Sequence, residues 1–263
     1  MHKLYNDKAF SIADAYCTLA GIKSGNLAGY FPPFYPVNLT DEHGIRIADA
    51  FDTAEAQEQG TPQVLADYAE FKSELLAQWK FFLAVAGIDV IPWIQDGQPY
   101  ANSAELIVDV KDNNRMYFFR TIDGFGEAHL GVGDRQGDKI THPLLEDTGY
   151  TVHGHALLYN DLFRIIHDYF GHCIWGHTFG PQGETQAWLS HLAMFKSPAA
   201  RRVLSVETQG QTAWFNYGKH LRRPDNTIPH KGDADFTPLA DRPYANQTIM
   251  ILPDEVWEPI ATI

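Results

Sequence analysis

A long run of apolar residues at helical spacing constrains this chain most. Thr61 and Pro62 form a helix start, since threonine is a good N-cap and proline fits the first helical position. Apolar and aromatic residues then recur every three or four positions until Gly87, at Val64, Tyr68, Phe71, Leu75, Trp79, Phe82 and Leu83. This spacing predicts one long amphipathic helix over residues 61–87, with its aromatic side in a core.

Composition and charge limit the class of protein. The chain has 263 residues, of which 44% are hydrophobic and 20% charged, which is typical of one globular domain. Its formal net charge of −13 argues against binding to nucleic acid or to an anionic membrane, because both require basic patches. The sequence shows no membrane span of ~18 apolar residues, no signal-peptide pattern and, with Cys17 and Cys173 alone, no disulfide framework. We therefore expect a soluble, cytoplasmic protein.

The remaining segments indicate the fold class. Residues 1–60 read as an irregular N-terminal segment with a short helix at residues 10–19 and a proline-rich loop at residues 29–36. Residues 104–121 read as a β-hairpin around a polar turn, residues 124–149 as a long loop, and residues 219–263 as a loop-rich tail ending with a strand at 248–252. The prediction is a single catalytic α+β domain, predominantly α-helical, with a small antiparallel sheet.

Three further helices are predicted within residues 160–218, and the first of them carries His167-Asp-Tyr-Phe-Gly-His172. Residues five apart on a helix lie within about 140° of one another, so His167 and His172 can converge if the turn at Gly171 relaxes. Two neutral imidazoles at one point suit a transition metal such as iron, zinc or copper. The simpler interpretation is a pair of buried structural histidines.

This string resembles the iron-binding motif of the aromatic amino acid hydroxylases, whose bacterial members carry His-Asp-Leu-Phe-Gly-His. In that family a glutamate a few tens of residues downstream is the third iron ligand, and Glu207 stands at 207 − 172 = 35 residues after His172. The resemblance covers about fifty residues. It implies an Fe(II) site with His167, His172 and Glu207 as ligands and catalytic residues, O2 as a substrate, and tetrahydropterin as a possible co-substrate.

Helix geometry is compatible with that ligand set. Helix predictions over 160–175, 184–196 and 199–217, packed up-down-up, make the first and third helices parallel. Counted from Phe163, His172 lies nine residues along the first helix, and Glu207 lies nine residues after Pro198, so at ~1.5 Å per residue they stand at similar heights. A set of two histidines and one carboxylate leaves open positions on iron.

Three other residues compete for the metal. Asp168 and His191 can face the same site, and Glu184 is the reserve third ligand. If all three point inward, the site holds two metals, as in the helical-bundle diiron oxygenases. Asp168 can equally orient a histidine ring, as metal-bound histidines require.

Candidates for substrate binding are Arg120, Gln211 and Trp214. The family's substrate-carboxylate arginine has no counterpart at its usual spacing, which leaves Arg120 or Arg164 for that role.

The sequence thus predicts a non-haem Fe(II) monooxygenase, hydroxylase-like, that oxidises a small aromatic or amino-acid-like substrate. Two alternatives stay open. The first is an HD-type phosphohydrolase acting on nucleotides, in which His167 and Asp168 bind metal together with His153 or His155. The second is a non-enzymatic binding protein whose histidines are structural.

Overall fold

A computed structural model describes residues 6–22, 39–57, 60–124, 134–135, 138–139 and 141–261. Helices dominate the described chain, strands occur only in short pairs, and buried apolar residues from most of the elements form one hydrophobic cluster. The predicted class, a predominantly helical α+β fold, is confirmed.

In the described part of the chain, two helices come before the long central one. They are α1 (Asp7–Leu19) and α2 (Asp41–Gln57). The helix predicted at residues 10–19 is therefore confirmed, whereas Asp41–Gln57, predicted as part of an irregular N-terminal segment over residues 1–60, is helical. The Asn6 side chain caps α1, and α2 buries Ile47, Ala48 and Phe51 at helical spacing. The proline-rich loop at residues 29–36 lies outside the described residues.

The central helix α3 (Pro62–Val85) confirms the prediction for residues 61–87. The Thr61 hydroxyl accepts a hydrogen bond from the Val64 amide, and the predicted stripe is buried from Val64 to Phe82. The helix packs against α1 and against helices of the C-terminal half of the chain. It therefore forms the scaffold against which the later histidine-bearing helices are held.

The β-hairpin predicted at residues 104–121 is wrong. Residues Ser103–Asp112 form helix α4, which Asn102 caps, and only Arg115–Phe119 form a strand, β2. That strand pairs in parallel with β1 (Asp89–Trp93), so α4 is the crossover between two parallel strands. The polar turn residues end the helix instead: Asn113 is its C-cap and Asn114 has a φ of 50°.

The antiparallel pairing lies later in the chain. After the short helix α5 (Thr121–Gly124) come two paired two-residue strands, β3 (Asp134–Arg135) and β4 (Asp138–Lys139). A 3₁₀ turn (Pro143–Leu145) leads to a hairpin of β5 (Asp147–Val152) and β6 (His155–Leu158). The loop predicted over residues 124–149 is thus too long, because β5 begins within it.

The C-terminal half confirms the three predicted helices and adds two π-helical segments. The first helix is α6 (Tyr159–His167), continued by π1 (Asp168–Cys173). The second is α7 (Pro181–Leu192). The third runs from α8 (Pro198–Ser205) through π2 (Val206–Gly210) into α9 (Gln211–Tyr217).

The tail is loop-rich, as predicted, but differs at its end. Short 3₁₀ turns lie at Lys219–Leu221 and Leu239–Asp241, and helix α10 spans Asp254–Ala261. Residues 248–252 are not a strand, although Ile249, Met250 and Leu252 are fully buried. None of the helices in the described chain is long and apolar enough to cross a membrane.

Candidate metal centre

The π-helical segment π1 brings the two histidines of the motif together. In a π-helix the backbone bonds residues five apart, so the side chains of His167 and His172 lie on one face. Their ring centroids lie 5.3 Å apart, with the planes at 84°. This is the local relaxation that the sequence required at Gly171.

Helix α7 adds a carboxylate. Glu184 Oε2 lies 3.4 Å from His172 Nε2 and 4.0 Å from His167 Nε2. The close approach of α7 to π1 depends on Gly171, where a Cβ would meet the Ala187 carbonyl oxygen at 3.0 Å and His167 Cε1 at 3.2 Å. Glu184, the reserve ligand of the sequence analysis, is thus the carboxylate that the fold brings to the histidines.

The three side chains fit a metal ion. One ligand atom from each of His167, His172 and Glu184 lies within 4.8 Å of the others. Metal bonds of about 2.1 Å in octahedral geometry hold neighbouring ligand atoms about 3.0 Å apart. The Glu184 oxygen therefore needs to approach each imidazole by roughly 1 Å or less. His167 Nε2 is also buried without a hydrogen-bond partner, and a metal ion would satisfy it.

A chain of hydrogen bonds fixes which nitrogen of His167 faces the centre. The Gln78 amide donates to the Met194 carbonyl oxygen (3.3 Å), so its Oε1 accepts from His191 Nε2 (2.8 Å). His191 Nδ1 is then an acceptor for His167 Nδ1–H, 3.2 Å away. His167 is left with a lone pair on Nε2, the atom that faces Glu184. This is the arrangement that orients metal-bound histidines.

His172 is oriented in the same way. Its Nδ1 lies 3.1 Å from the backbone oxygen of His177 and donates to it, so Nε2 faces Glu184. The His177 ring lies 3.2 Å from the Ser190 hydroxyl on α7. The turn after π1 is therefore tied both to the ligand histidine and to the helix that carries the carboxylate.

The electrostatics are those of a buried ion pair. Burial alone would lower the pKa of His172, but attraction to Glu184, their hydrogen bond and Asp168 outweigh it and raise that pKa to about 9. Burial opposes the Glu184 charge too, yet the two histidines bring the pKa of Glu184 down to about 2. At neutral pH His172 is therefore protonated beside the charged Glu184, and a metal ion bound to both would have to displace that proton. Burial beside His167 lowers the pKa of His191 well below its usual value, so His191 stays neutral.

Asp168 and His191 lie around the centre rather than within the three-residue group. Burial raises the pKa of Asp168, and the charges of His172 and His167 oppose that rise. His191 is fully buried and touches His167 through its ring nitrogen. The orienting role expected of Asp168 stays a prediction, because the Nδ1 atoms of His167 and His172 contact His191 and the His177 backbone oxygen.

Glu207 does not join the two histidines, which corrects the ligand set implied by the resemblance. Its carboxylate accepts hydrogen bonds from the Tyr68 hydroxyl and from Gln211 Nε2 (2.9 Å), and lies 3.6 Å from His142 Nε2. The estimate of similar heights at 1.5 Å per residue failed because π1 and π2 depart from α-helical geometry. In addition, the Tyr68 hydroxyl on α3 holds the Glu207 carboxylate. Glu207 forms a second buried polar cluster with Tyr68 and His142.

The predicted substrate-binding residues lie in different parts of the structure. Gln211 connects Glu207 to a cavity that Glu184 also lines. Trp214 is not part of that cavity lining: its Nε1 donates to Asp52 (2.8 Å), and its ring packs at a tilt against His220 with the centroids 4.3 Å apart. The guanidinium of Arg120 is engaged by both carboxylate oxygens of Asp123 and by His155. Arg120 thus anchors the β6 strand, and Arg164 donates to the Phe119 carbonyl oxygen.

The other histidines proposed as ligands lie in other surroundings. His153 sits at the hairpin turn, where its Nε2 lies 2.7 Å from Asp89, and His155 contacts Arg120. Neither belongs to the group that includes His167, so the arrangement expected of an HD-type phosphohydrolase does not form among these residues.

The sequence analysis did not identify two residues that orient the histidines, Gln78 and His177. The importance of Gln78 could have been found from the sequence, because it is the polar residue between Leu75 and Phe82 on the apolar stripe of α3. It is fully buried. A polar side chain at such a position needs a partner, which points to a buried network. His177 carries no comparable signal, because its contribution to orienting His172 comes from its backbone oxygen.

Comparisons with known proteins give no match: no protein-family model, no curated protein and no solved structure matches this chain. The relation to the aromatic amino acid hydroxylases therefore stays a prediction from the histidine motif.

Proposed function

We propose that this protein is a non-haem Fe(II)-dependent monooxygenase of the hydroxylase type, with His167, His172 and Glu184 holding one metal ion. The observation that carries the proposal is the convergence of two oriented imidazole nitrogens and one carboxylate oxygen within 4.8 Å. A facial set of two histidines and one carboxylate is typical of oxygen-activating Fe(II) enzymes.

The surroundings support an oxidative reaction on a small organic molecule. Phe179 packs edge-on against His172, with ring centroids 4.9 Å apart, and also lines the cavity that reaches Glu184. An apolar wall at the metal ligands is suited to hold an organic substrate next to the metal. An Fe(II) ion in this set would supply open positions at which O2 is activated.

The protein's own residues have defined tasks in this proposal. His167 and His172 donate their Nε2 lone pairs, and the contacts from His191 and His177 hold those rings in place. Glu184 supplies the negative charge and also lines the cavity, so the metal position lies next to it. A single metal is favoured because, among the described residues, one group of three ligand side chains is found. The histidine motif makes tetrahydropterin the first reductant to examine.

The test is Fe(II)-dependent oxygen uptake. Metal-free protein is loaded anaerobically with Fe(II) or, as the control, with Zn(II), and mixed with tetrahydropterin and a panel of small aromatic compounds in an oxygen electrode. We expect uptake of O2 and oxidation of the pterin with Fe(II) only, and loss of both in His172→Ala. Uptake no greater than that of His172→Ala, or activity that persists with Zn(II), contradicts the proposal.

A further inference from the structure

A cavity of about 280 Å³ lies against Glu184. Its apolar wall comprises Phe179, Phe215, Leu239 and Tyr244. Three of these side chains are well exposed, with relative exposures of 39% for Phe179, 60% for Leu239 and 82% for Tyr244. Exposed large apolar side chains gathered around a cavity mark a binding site for an apolar or aromatic molecule.

The cavity offers no positive charge from the described residues. Glu184 is the one charged side chain in its lining. The nearby Arg242 guanidinium is engaged behind the wall, where it donates to Asn216 Oδ1 (2.9 Å) and lies over the Phe215 and Phe236 rings. A carboxylate or phosphate group in this cavity would face the like charge of Glu184 with no positive side chain in the lining, which is unfavourable.

Two side-chain amides form the polar side of the cavity. Gln211 and Gln247 face each other, and each Nε2 lies 3.3 Å from the other's Oε1. Gln211 Nε2 also donates to Glu207 Oε2 at 2.9 Å, so the Glu207 cluster fixes the orientation of the Gln211 amide. The two bonds of the Gln pair are at the long end of the normal range, and a ligand can replace them at little cost.

We propose that this cavity binds a neutral, planar aromatic molecule that carries an amide-type edge, with an N–H beside a C=O. The ring lies against Phe215 and Phe179, and the amide edge pairs with the Gln247 carboxamide. The ligand is then the substrate that the metal centre oxidises, so this inference rests on the proposed function. The proposal also assigns a role to Glu207, because its carboxylate accepts from Gln211 and so orients the amide of Gln211 towards Gln247.

The test compares benzamide with benzoate, which have the same shape and differ in charge and in the N–H donor. Binding is measured by calorimetry on metal-free and on Zn(II)-loaded protein, with the metal content of each preparation determined separately. We expect benzamide to bind about tenfold more tightly than benzoate in both forms. Gln247→Leu should remove this preference, and Gln98→Leu, an exposed glutamine elsewhere, should keep it.

Each outcome decides one claim. Benzoate binding as tightly as benzamide, or a preference that survives in Gln247→Leu, overturns the inference about the cavity while leaving the metal centre standing. If the protein takes up no metal in any preparation but still prefers benzamide, the inference about the cavity is supported and the proposed function is overturned. Phe215→Ala, which removes part of the wall, should weaken both ligands equally; a loss confined to benzamide contradicts the assigned pose.

Discussion

At the scale of single residues, the metal centre depends on which ring nitrogen of each histidine carries a proton. Gln78 determines this for His167 through His191, although it lies on a different helix from both and does not touch the metal position. His177 does the same for His172 through its backbone oxygen. Contacts of this kind keep ligand rings oriented before a metal arrives.

Gln78→Leu tests the first of these contacts. The leucine keeps the volume but removes the acceptor for His191 Nε2–H, so His191 and His167 lose their fixed tautomers. We expect metal affinity to fall about 10- to 100-fold, measured by competition with a chelator. Leu75→Ala on the same helix is the control: it should lower the free energy of unfolding by about 2–5 kcal/mol but leave the affinity of the folded protein unchanged. An unaltered affinity in Gln78→Leu would refute the orienting role.

The sequence identified the two histidines of the motif but not which glutamate lies beside them. His167 and His172 could be predicted as a pair, because the string alone places them five apart on one helix. The choice between Glu184 and Glu207 could not, because both are carboxylates on later helices and only the packing of those helices decides. Tyr68, which holds Glu207, was predicted correctly as a core residue on the apolar stripe, without a sign of its hydroxyl's partner.

At the scale of elements, the centre depends on π1. The π-helical segment aligns two residues five apart, and Gly171 allows α7 to approach it closely enough for Glu184 to reach both rings. Segments of π-helix inside α-helices are frequent at functional sites. Local propensity does not predict them, which is why the sequence could only require a relaxed turn at Gly171.

Gly171→Ala tests this close approach. A Cβ would meet the Ala187 carbonyl oxygen at 3.0 Å and the His167 ring at 3.2 Å, so α7 and π1 must separate. We expect a lower melting temperature and a lower metal affinity together. The matched control is Gly180→Ala at the start of α7, where the nearest atom to a Cβ is 4.0 Å away. If Gly171→Ala binds metal as tightly as Gly180→Ala, the approach of α7 does not shape the centre.

The wrong hairpin at residues 104–121 has a physical explanation at this scale. Leu106, Ile107 and Val110 are buried at helical spacing. The same segment contains the β-branched residues Ile107, Val108 and Val110, which favour strands. The Asn102 cap decides for the helix, and the following asparagines then end it. Short apolar segments of this kind are ambiguous from sequence, whereas the long stripe of α3 is not.

At the scale of the whole molecule, one core joins the site to the rest of the fold, and some of its stability depends on pH. Asp109 on α4 accepts hydrogen bonds from Asn113 (2.6 Å) and Arg115 (3.0 Å) and so ties α4 to β2. Burial alone would raise the pKa of Asp109, but the bonds from Arg115 and Asn113 outweigh it and hold the pKa below its usual value of 3.8.

Asp109→Asn tests that link. Because the folded state lowers this pKa, the carboxylate stabilises the fold fully above pH 3.8, and the contribution is lost as pH falls through the folded-state pKa. We expect Asp109→Asn to unfold at lower urea concentration than the wild type at pH 7, with the difference shrinking towards pH 3. Asp112→Asn, on the exposed end of α4, should show no such trend. An equal difference at both pH values would contradict the ionic origin of the effect.

The identity of the third ligand is the central claim, and the metal content of three proteins tests it most directly. Wild type, Glu184→Gln and Glu207→Gln are purified anaerobically and analysed for metals per folded chain. We predict about one iron per chain in the wild type and in Glu207→Gln, and loss of the metal in Glu184→Gln. Metal that is retained in Glu184→Gln and lost in Glu207→Gln would contradict the arrangement of His167, His172 and Glu184 described above.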